Sequence, residues 1–460
     1  MSDRPRMVLA TLSETRQDYR PQREPLALEE RARLGWLREA VDLTESEILT
    51  TPAQIHDFVS RLDRDQHALI VHIPVWTEPL LTARIASLLP LPLVLLGNMR
   101  PETSSIVGLL GAGGALDQMG RRHLRVFDAA SEESRQDVVA LGQASRTLHT
   151  LRGQTLGLFG GRSLGMITAT ADAAQWHQRF GVDIEQGDQS EIVSLAQRAP
   201  ADEVDRHLRW LTRQLGSVRF GAGFSPEALE RQVRGYLAIR LLARRKGYDF
   251  VGVKCQPELS DGYASHCVAH MLCNGTVDAD GGKRLLVHAC EADADGALTM
   301  QILHLLSGAG AVALLDVRWL DASNGVWTLA NCGAMPAAFA SDTGDQAGLA
   351  RVSMVPHIFG TGGGGALPFV ATPRPVTLAR LCRRDGEYWM AALRGEVEAR
   401  DPGALASTTA AFPQAFVRTR AGLEFLQQFG SNHVHMVTGD HLRAVRAFCR
   451  IAGIDCHVWE

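Results

Sequence analysis

No cysteine precedes residue 255, and the eight that follow (255, 267, 273, 290, 332, 382, 449 and 456) form no C-x-x-C pair. That spacing argues against a zinc ribbon, a dithiol redox centre and a disulfide scaffold. It reads as reduced, mostly buried thiols in a reducing compartment, most simply a bacterial type of cytoplasm. Neither sign of charge dominates: 47 Lys and Arg against 51 Asp and Glu leave a net charge of -4. Nothing in that balance points to nucleic acid or an anionic membrane as partner, and a small, weakly charged substrate fits better. Apolar runs fall short of membrane-spanning length, and the amino terminus lacks a signal-peptide core and cleavage pattern.

What is present suits a soluble globular chain. At 460 residues it exceeds what one hydrophobic core usually organises, so two or three domains are expected. In the first 150 residues, short apolar runs (7–12, 68–75, 93–96, 124–127) alternate with amphipathic stretches, the pattern of a parallel sheet with covering helices. Pro101 and Glu102 open a helix carrying Ile106, Leu109, Leu110, Leu116 and Met119. Gly111, Gly113 and Gly114 lie inside that helix and do not follow a strand, which favours tight helix packing over a phosphate loop.

A second α/β unit begins near Gly153. Residues 155–159 read as a strand ending in the turn Gly160-Gly161-Arg162-Ser163-Leu164-Gly165, where a ligand or a plain turn fits equally. A long helical region follows over 201–246. Three further buried strands, 250–254, 284–289 and 311–315, end at Lys254 with Gln256, at Glu291 and at Asp316. Neighbouring parallel strands would bring Glu291 and Asp316 to one sheet edge, roughly 5 Å apart per strand step. The segment 295–306 would be the crossover helix between them. Taken alone, two acids at strand ends more often meet solvent or cap helices than catalyse.

From about Trp319, glycine, proline and short alternating strands (351–358, 375–382, 387–392) indicate a β-rich domain. The run Gly360 to Gly365 reads as a flexible surface loop. An amphipathic helix over 442–452 closes the chain. The expected architecture is therefore α/β: two Rossmann-like parallel-sheet domains, 1–150 and 151–320, followed by a β-rich, barrel-like domain, 321–460.

Glu291, Asp316 and His433 offer two carboxylates and an imidazole, a hard and open donor set suited to Mn2+, Mg2+ or Co2+ and to proton transfer by the carboxylates. His435 stands two residues on and shares a strand face with His433. Cys290 is expected to point into the core beside its strand. A rival zinc-hydrolase reading uses His266 and His270, an i, i+4 pair on a helix, although Cys267 occupies the position of the usual glutamate.

Several of these segments resemble the L-fucose isomerase and L-arabinose isomerase family of aldose-ketose isomerases. Lys254-Cys255-Gln256 is similar to that family's Lys-Gly-Gln, Cys290-Glu291-Ala292-Asp293 to its glutamate-bearing strand end, and Leu315-Asp316-Val317-Arg318 to its Asp-Val-Arg. Asn432-His433 with Gly439-Asp440 resembles the terminal Asn-His motif, whose spacing selects His433 over His435. Gly161 to Met166 resembles a Ser-Met-Gly turn, and residues 1–150 match only in α/β character. The resemblance implies a cytoplasmic, manganese-dependent enzyme, assembled as a trimer or hexamer. Glu291, Asp316 and His433 would hold the cation, Glu291 and Asp316 would be the acid/base pair, and Lys254, Gln256 and Asn432 would contact the sugar. The reaction would pass protons between C1 and C2 through an enediolate. Ala292, Ala294 and the glycine run at 362–365 depart from the family pattern and leave the sugar open among pentoses, deoxyhexoses and 6-substituted hexoses such as sulfonated sugars. A sugar-binding or regulatory protein without turnover would need the cleft but not all three ligands.

Overall fold

In the computed structural model, residues 4–459 are described. The chain divides into two compact units, Met1–Thr150 with Arg443–Gly453, and Leu151–Leu442 with Ile454–Glu460.

The first unit is built on five strands, β1 (Arg6–Leu12), β2 (Asp42–Leu49), β3 (Ala68–His72), β4 (Leu93–Leu96) and β5 (His123–Val126). They run parallel in the order β2-β1-β3-β4-β5, a doubly wound arrangement of flavodoxin type. Side chains alternate along each strand, so each face buries its own core. Val8, Ala10 and Leu12 pack with Leu69, Leu81 and Leu109, whereas Met7 and Leu9 pack with Ile70, Val94 and Val126. The glycine run lies in the helix Ser105–Gln118, where a Cβ on Gly113 would meet the Arg125 guanidinium. Close packing is the role of Gly113 there. β2 is the strand that hydrophobic patterning misses: it is an edge strand of sequence DLTESEIL, and Glu45 on it pairs with Arg38 at 2.7 Å. The helix Leu442–Ala452 forms as its periodicity predicts, and Ala447 and Ile451 in it pack against the Met7 core of this unit.

The second unit holds a parallel sheet and a barrel. β6 (Thr155–Phe159), β7 (Asp183–Gly187), β8 (Phe250–Val253) and β9 (His288–Cys290) form the sheet in the order β9-β8-β6-β7. The expected strand over 284–289 thus contracts to three residues. The expected helix over 201–246 is two helices, Ala201–Gln214 and Pro226–Lys246, and Ser225 caps the second by accepting from the Ala228 amide at 3.3 Å.

Six antiparallel strands close the barrel: β10 (Val312–Asp321), β11 (Val326–Ala330), β12 (Arg374–Arg384), β13 (Glu387–Val397), β14 (Gln414–Arg418) and β15 (His433–Thr438). The ring runs β12-β15-β10-β11-β14-β13 and returns to β12, leaving no open edge within it. β16 (Asp455–Trp459) adds to β13 in parallel.

This topology corrects the route by which Glu291 and Asp316 meet. Asp316 is not on a parallel neighbour of the strand before Glu291; it lies on β10, whose partners β11 and β15 are both antiparallel. The Asn324-Gly325 turn explains the difference, because Gly325 takes φ 65° and folds β10 back on β11 as a hairpin. The helix Ala294–Leu306 therefore links the parallel sheet to the barrel instead of crossing over within one sheet. Residues 294–303 are buried without a break, as a helix covered on every side requires.

The run Gly360 to Gly365 is also corrected. Gly363, Gly364 and Gly365 are buried, with the Gly364 amide donating to the Gly223 carbonyl at 2.8 Å and the Gly365 amide to Gln232 Oε1 at 2.8 Å. A Cβ on Gly364 would collide with Ser265 Oγ, so close backbone approach, not mobility, accounts for the glycines there.

Candidate metal centre

β9 ends at Cys290, and the next residue, Glu291, adopts φ 60°, followed by Ala292 at φ 47°. Two consecutive non-glycine residues in the left-handed region are costly by roughly 1–3 kcal/mol each, a cost that folds tolerate where a side chain must be aimed. The turn aims Glu291 at the barrel. There, β10 and β15 are in register so that Asp316 lies directly opposite His433. His433 Nε2 is 3.5 Å from Asp316 Oδ1 and 3.7 Å from Glu291 Oε2. Residues from three separate segments thus meet at His433 Nε2, which has a carboxylate oxygen of each acid within 4 Å.

His433 is fixed from behind. Its Nδ1 donates to Asp293 Oδ2 at 2.7 Å, which leaves Nε2 as the atom facing Glu291 and Asp316. Asp293 is itself held by Arg380 at 2.5 and 3.0 Å, and it caps the helix Ala294–Leu306 by accepting from the Gly296 amide at 2.9 Å. Both members of this ion pair are essentially inaccessible, Arg380 at 1% and Asp293 at 0%. Burial opposes ionisation of Asp293, yet the Arg380 charge and the His433 bond outweigh it and hold its carboxyl far below the usual range. Burial alone would lower His433, but the Asp293 bond and the nearby carboxylates raise it. Burial also raises Glu291, which is 8% exposed, and the Asp316 charge adds to that, against the opposing influence of His433. Two carboxylates facing one imidazole concentrate negative charge that a proton on His433 or a bound cation can balance. The donor set, two oxygens and one nitrogen with its tautomer fixed, fits a hard divalent cation.

Asn432 joins the group, donating through Nδ2 to Asp316 Oδ1 at 3.1 Å and lying 3.8 Å from Met166 Sδ. The turn after β6 therefore reaches this site. Its glycines Gly160, Gly161 and Gly165 all have positive φ, and Ser163 Oγ donates to the Gln256 carbonyl at 3.2 Å. Among the described residues no hydrogen bond joins the side chains of Lys254 or Gln256 to Glu291, Asp316 or His433. The Lys254 ammonium instead pairs with Glu258 at 2.6 Å. His435 is fully buried, with Nδ1 against the Ala379 carbonyl at 3.3 Å, so His433 is the histidine that meets the two acids.

Asp293 and Arg380 carried no role in the sequence reading. Asp293 was within the quoted Cys-Glu-Ala-Asp motif. Arg380 had a plain signal: it is the one charge in the apolar stretch Val376 to Cys382, where a buried arginine requires an acidic partner.

The zinc-hydrolase pair is arranged differently from its expectation. The helix is Cys267–Cys273, so His266 precedes it, and His270 Nδ1 bonds His288 Nδ1 at 3.2 Å instead. His266 stacks on His288 with ring centroids 5.4 Å apart. Burial pushes His266 down to about 3 and His270 down to about 4, so these histidines are neutral.

A family model, L-fucose isomerase, C-terminal domain, matches residues 329–460. The chain carries a fucose isomerase-like C-terminal domain. Asn432, His433 and Arg380 fall inside this fucose isomerase-like segment, while Glu291, Asp293 and Asp316 precede it. No curated protein matches the chain. Among the described residues no helix is long and apolar enough to cross a membrane. Among the described residues no two cysteines are joined in a disulfide.

Proposed function

We propose that this chain is a metal-dependent aldose-ketose isomerase acting on a monosaccharide. The observation that carries the reading is the approach of Glu291 Oε2 and Asp316 Oδ1 to His433 Nε2, at 3.7 and 3.5 Å, in a chain with a fucose isomerase-like C-terminal domain. Glu291, Asp316 and His433 are the residues that would hold the cation, Mn2+ in the first instance, with Mg2+ or Co2+ as substitutes. When bound, that cation polarises the sugar's carbonyl and neighbouring hydroxyl and so acidifies the C–H bond.

The remaining work falls to the protein. Glu291 and Asp316 form the acid/base pair: one carboxylate removes a proton from the carbon beside the carbonyl, and the other completes transfer to the adjacent carbon through an enediolate. Asp293 keeps Nδ1 of His433 protonated and so presents Nε2 to the site. Asn432 orients Asp316 and presents an amide to sugar hydroxyls, and Lys254 and Gln256 line the neighbouring strand end. The same reading includes a homo-oligomer, trimer or hexamer, which sedimentation would measure.

Direct titration with Mn2+ tests the ligand assignment. Tight binding in the wild type, lost in Glu291→Gln, Asp316→Asn and His433→Asn with folding intact, is the expected result. A wild-type chain that binds no divalent cation sinks the proposal.

A further inference from the structure

Glu291 presents its two oxygens to two chemically different sets of neighbours. Oε2 faces His433 Nε2 at 3.7 Å, while Oε1 accepts from the Cys332 thiol at 3.5 Å. Cys332 also lies near Cys290, the residue just before Glu291. One donor atom from each of Cys290, Glu291 and Cys332 lies within 4.8 Å of the others. Cys255 is a third thiol beside them, close enough to interact electrostatically with Cys332, Cys290 and Glu291. None of these thiols is in a disulfide.

The spacing suits a particular kind of ion. With Zn–S of about 2.3 Å and Zn–O of about 2.0 Å, a tetrahedral site separates a sulfur from an oxygen ligand by about 3.5 Å. Cys332 Sγ and Glu291 Oε1 already stand at that separation, 3.5 Å. Two sulfurs and one oxygen select a thiophilic ion, whereas the Asp316 and His433 side of the same carboxylate selects a hard one. Two other donor groups in the chain are closed by their own pairing. His67 Nδ1 accepts from the Arg6 amide at 2.9 Å, which leaves its Nε2 protonated, and Arg240 sits 2.7 Å from both Asp278 and Asp280.

We propose that Cys290, Cys332 and the Oε1 face of Glu291 form a second cation site, selective for thiophilic ions such as Zn2+ or Cd2+, with Cys255 or water as the fourth donor. Binding releases the Cys290 and Cys332 thiol protons to solvent and forms two metal–sulfur bonds and one metal–oxygen bond to Glu291; the fourth bond is to water oxygen, or to Cys255 sulfur with release of a third thiol proton, and no oxidation state changes. Because Glu291 is shared, occupation of this site weakens the hard site on its other face. That antagonism rests on the assignment of Glu291 as a ligand of the hard cation; the thiophilic site itself does not.

Cadmium titration of the full chain, reduced and stripped of metal by chelation, reads the site through thiolate-to-cadmium charge-transfer absorption, without any sugar turnover. A saturable signal at one equivalent is expected, with affinity weakened by about tenfold or more in Cys332→Ser and in Cys290→Ala. Cys382→Ser should leave the signal in place, and added Mn2+ should raise the cadmium concentration needed. In the wild type, one equivalent of cadmium should also shield Cys332 from alkylation, a reading that does not depend on how well a variant folds. An unchanged titration in both cysteine variants, or alkylation of Cys332 unaffected by cadmium, overturns the site. Cadmium bound through these thiols in a chain that binds no Mn2+ would uphold the thiophilic site and count against the isomerase reading instead.

Discussion

Asp293 accepts a 2.7 Å hydrogen bond from His433 Nδ1 while Arg380 grips the same carboxylate at 2.5 Å, all three groups buried. Replacing Asp293 by Asn keeps the shape but leaves the Arg380 charge unbalanced and the imidazole free to change tautomer. Loss of such a partner typically weakens metal affinity about 10–100-fold, and breaking a buried ion pair costs about 3–5 kcal/mol. Mn2+ titration and denaturant unfolding of Asp293→Asn should show both losses together. Wild-type affinity in that variant would mean that His433 does not depend on Asp293.

Two glycines separate packing constraint from helix propensity. A Cβ on Gly296 would lie 2.5 Å from Asp293 Oδ2 and 2.7 Å from Arg380 Nη1. Gly296→Ala should therefore destabilise by about 1–3 kcal/mol despite alanine's better helix propensity, and it should also weaken Mn2+ binding. Gly114, in the helix Ser105–Gln118, has nothing within 4 Å of its Cβ position. Gly114→Ala should stabilise by up to about 1 kcal/mol. Denaturation midpoints that move in the same direction for both variants would contradict this contrast.

Buried neutral histidines make stability fall with acid. Burial lowers His266 to about 3 and His270 to about 4, and it lowers His288 well below its ordinary 6.5. A folded state that resists protonation binds fewer protons than the unfolded chain. The stabilisation is therefore complete above pH 6.5, declines as pH falls below it, and is gone once the folded-state values of about 3 and 4 are passed. Each such histidine costs up to about 1.4 kcal/mol per pH unit in that window. His433, raised chiefly by its bond to Asp293, and the buried carboxyls of Glu291 and Asp295, raised by burial, take up protons more readily in the folded state and oppose the trend. Unfolding free energy measured from pH 7 to 5 should drop steeply, and a flat profile would contradict the burial of these side chains.

Sequence patterning revealed the site more fully than the path that builds it. Short continuous apolar runs located β1, β3, β4, β6 and β8 because both faces of a parallel sheet are covered. β2 escaped because an edge strand tolerates charge on its open side. Glu291, Asp316 and His433 were legible as chemistry-bearing residues beside recognisable motifs, and the structure brings them together. Their route was misread because the segment 311–315 looks the same whether its neighbours are parallel or antiparallel; the Asn324-Gly325 turn held the deciding information. The glycine run at 360–365 was misread because close backbone approach and mobility leave the same composition. Cys332, on no apolar strand, gave no sign that it would stand 3.5 Å from Glu291.

The most direct test incubates the manganese-loaded protein with a panel of aldoses in deuterated water and follows the products by NMR. The proposed proton transfer by Glu291 and Asp316 predicts a ketose that carries solvent deuterium at C1, and no product after chelation or in Glu291→Gln. The absence of ketose from every aldose would contradict isomerase activity, and a ketose formed without deuterium would contradict solvent-exchanging proton transfer by these two carboxylates.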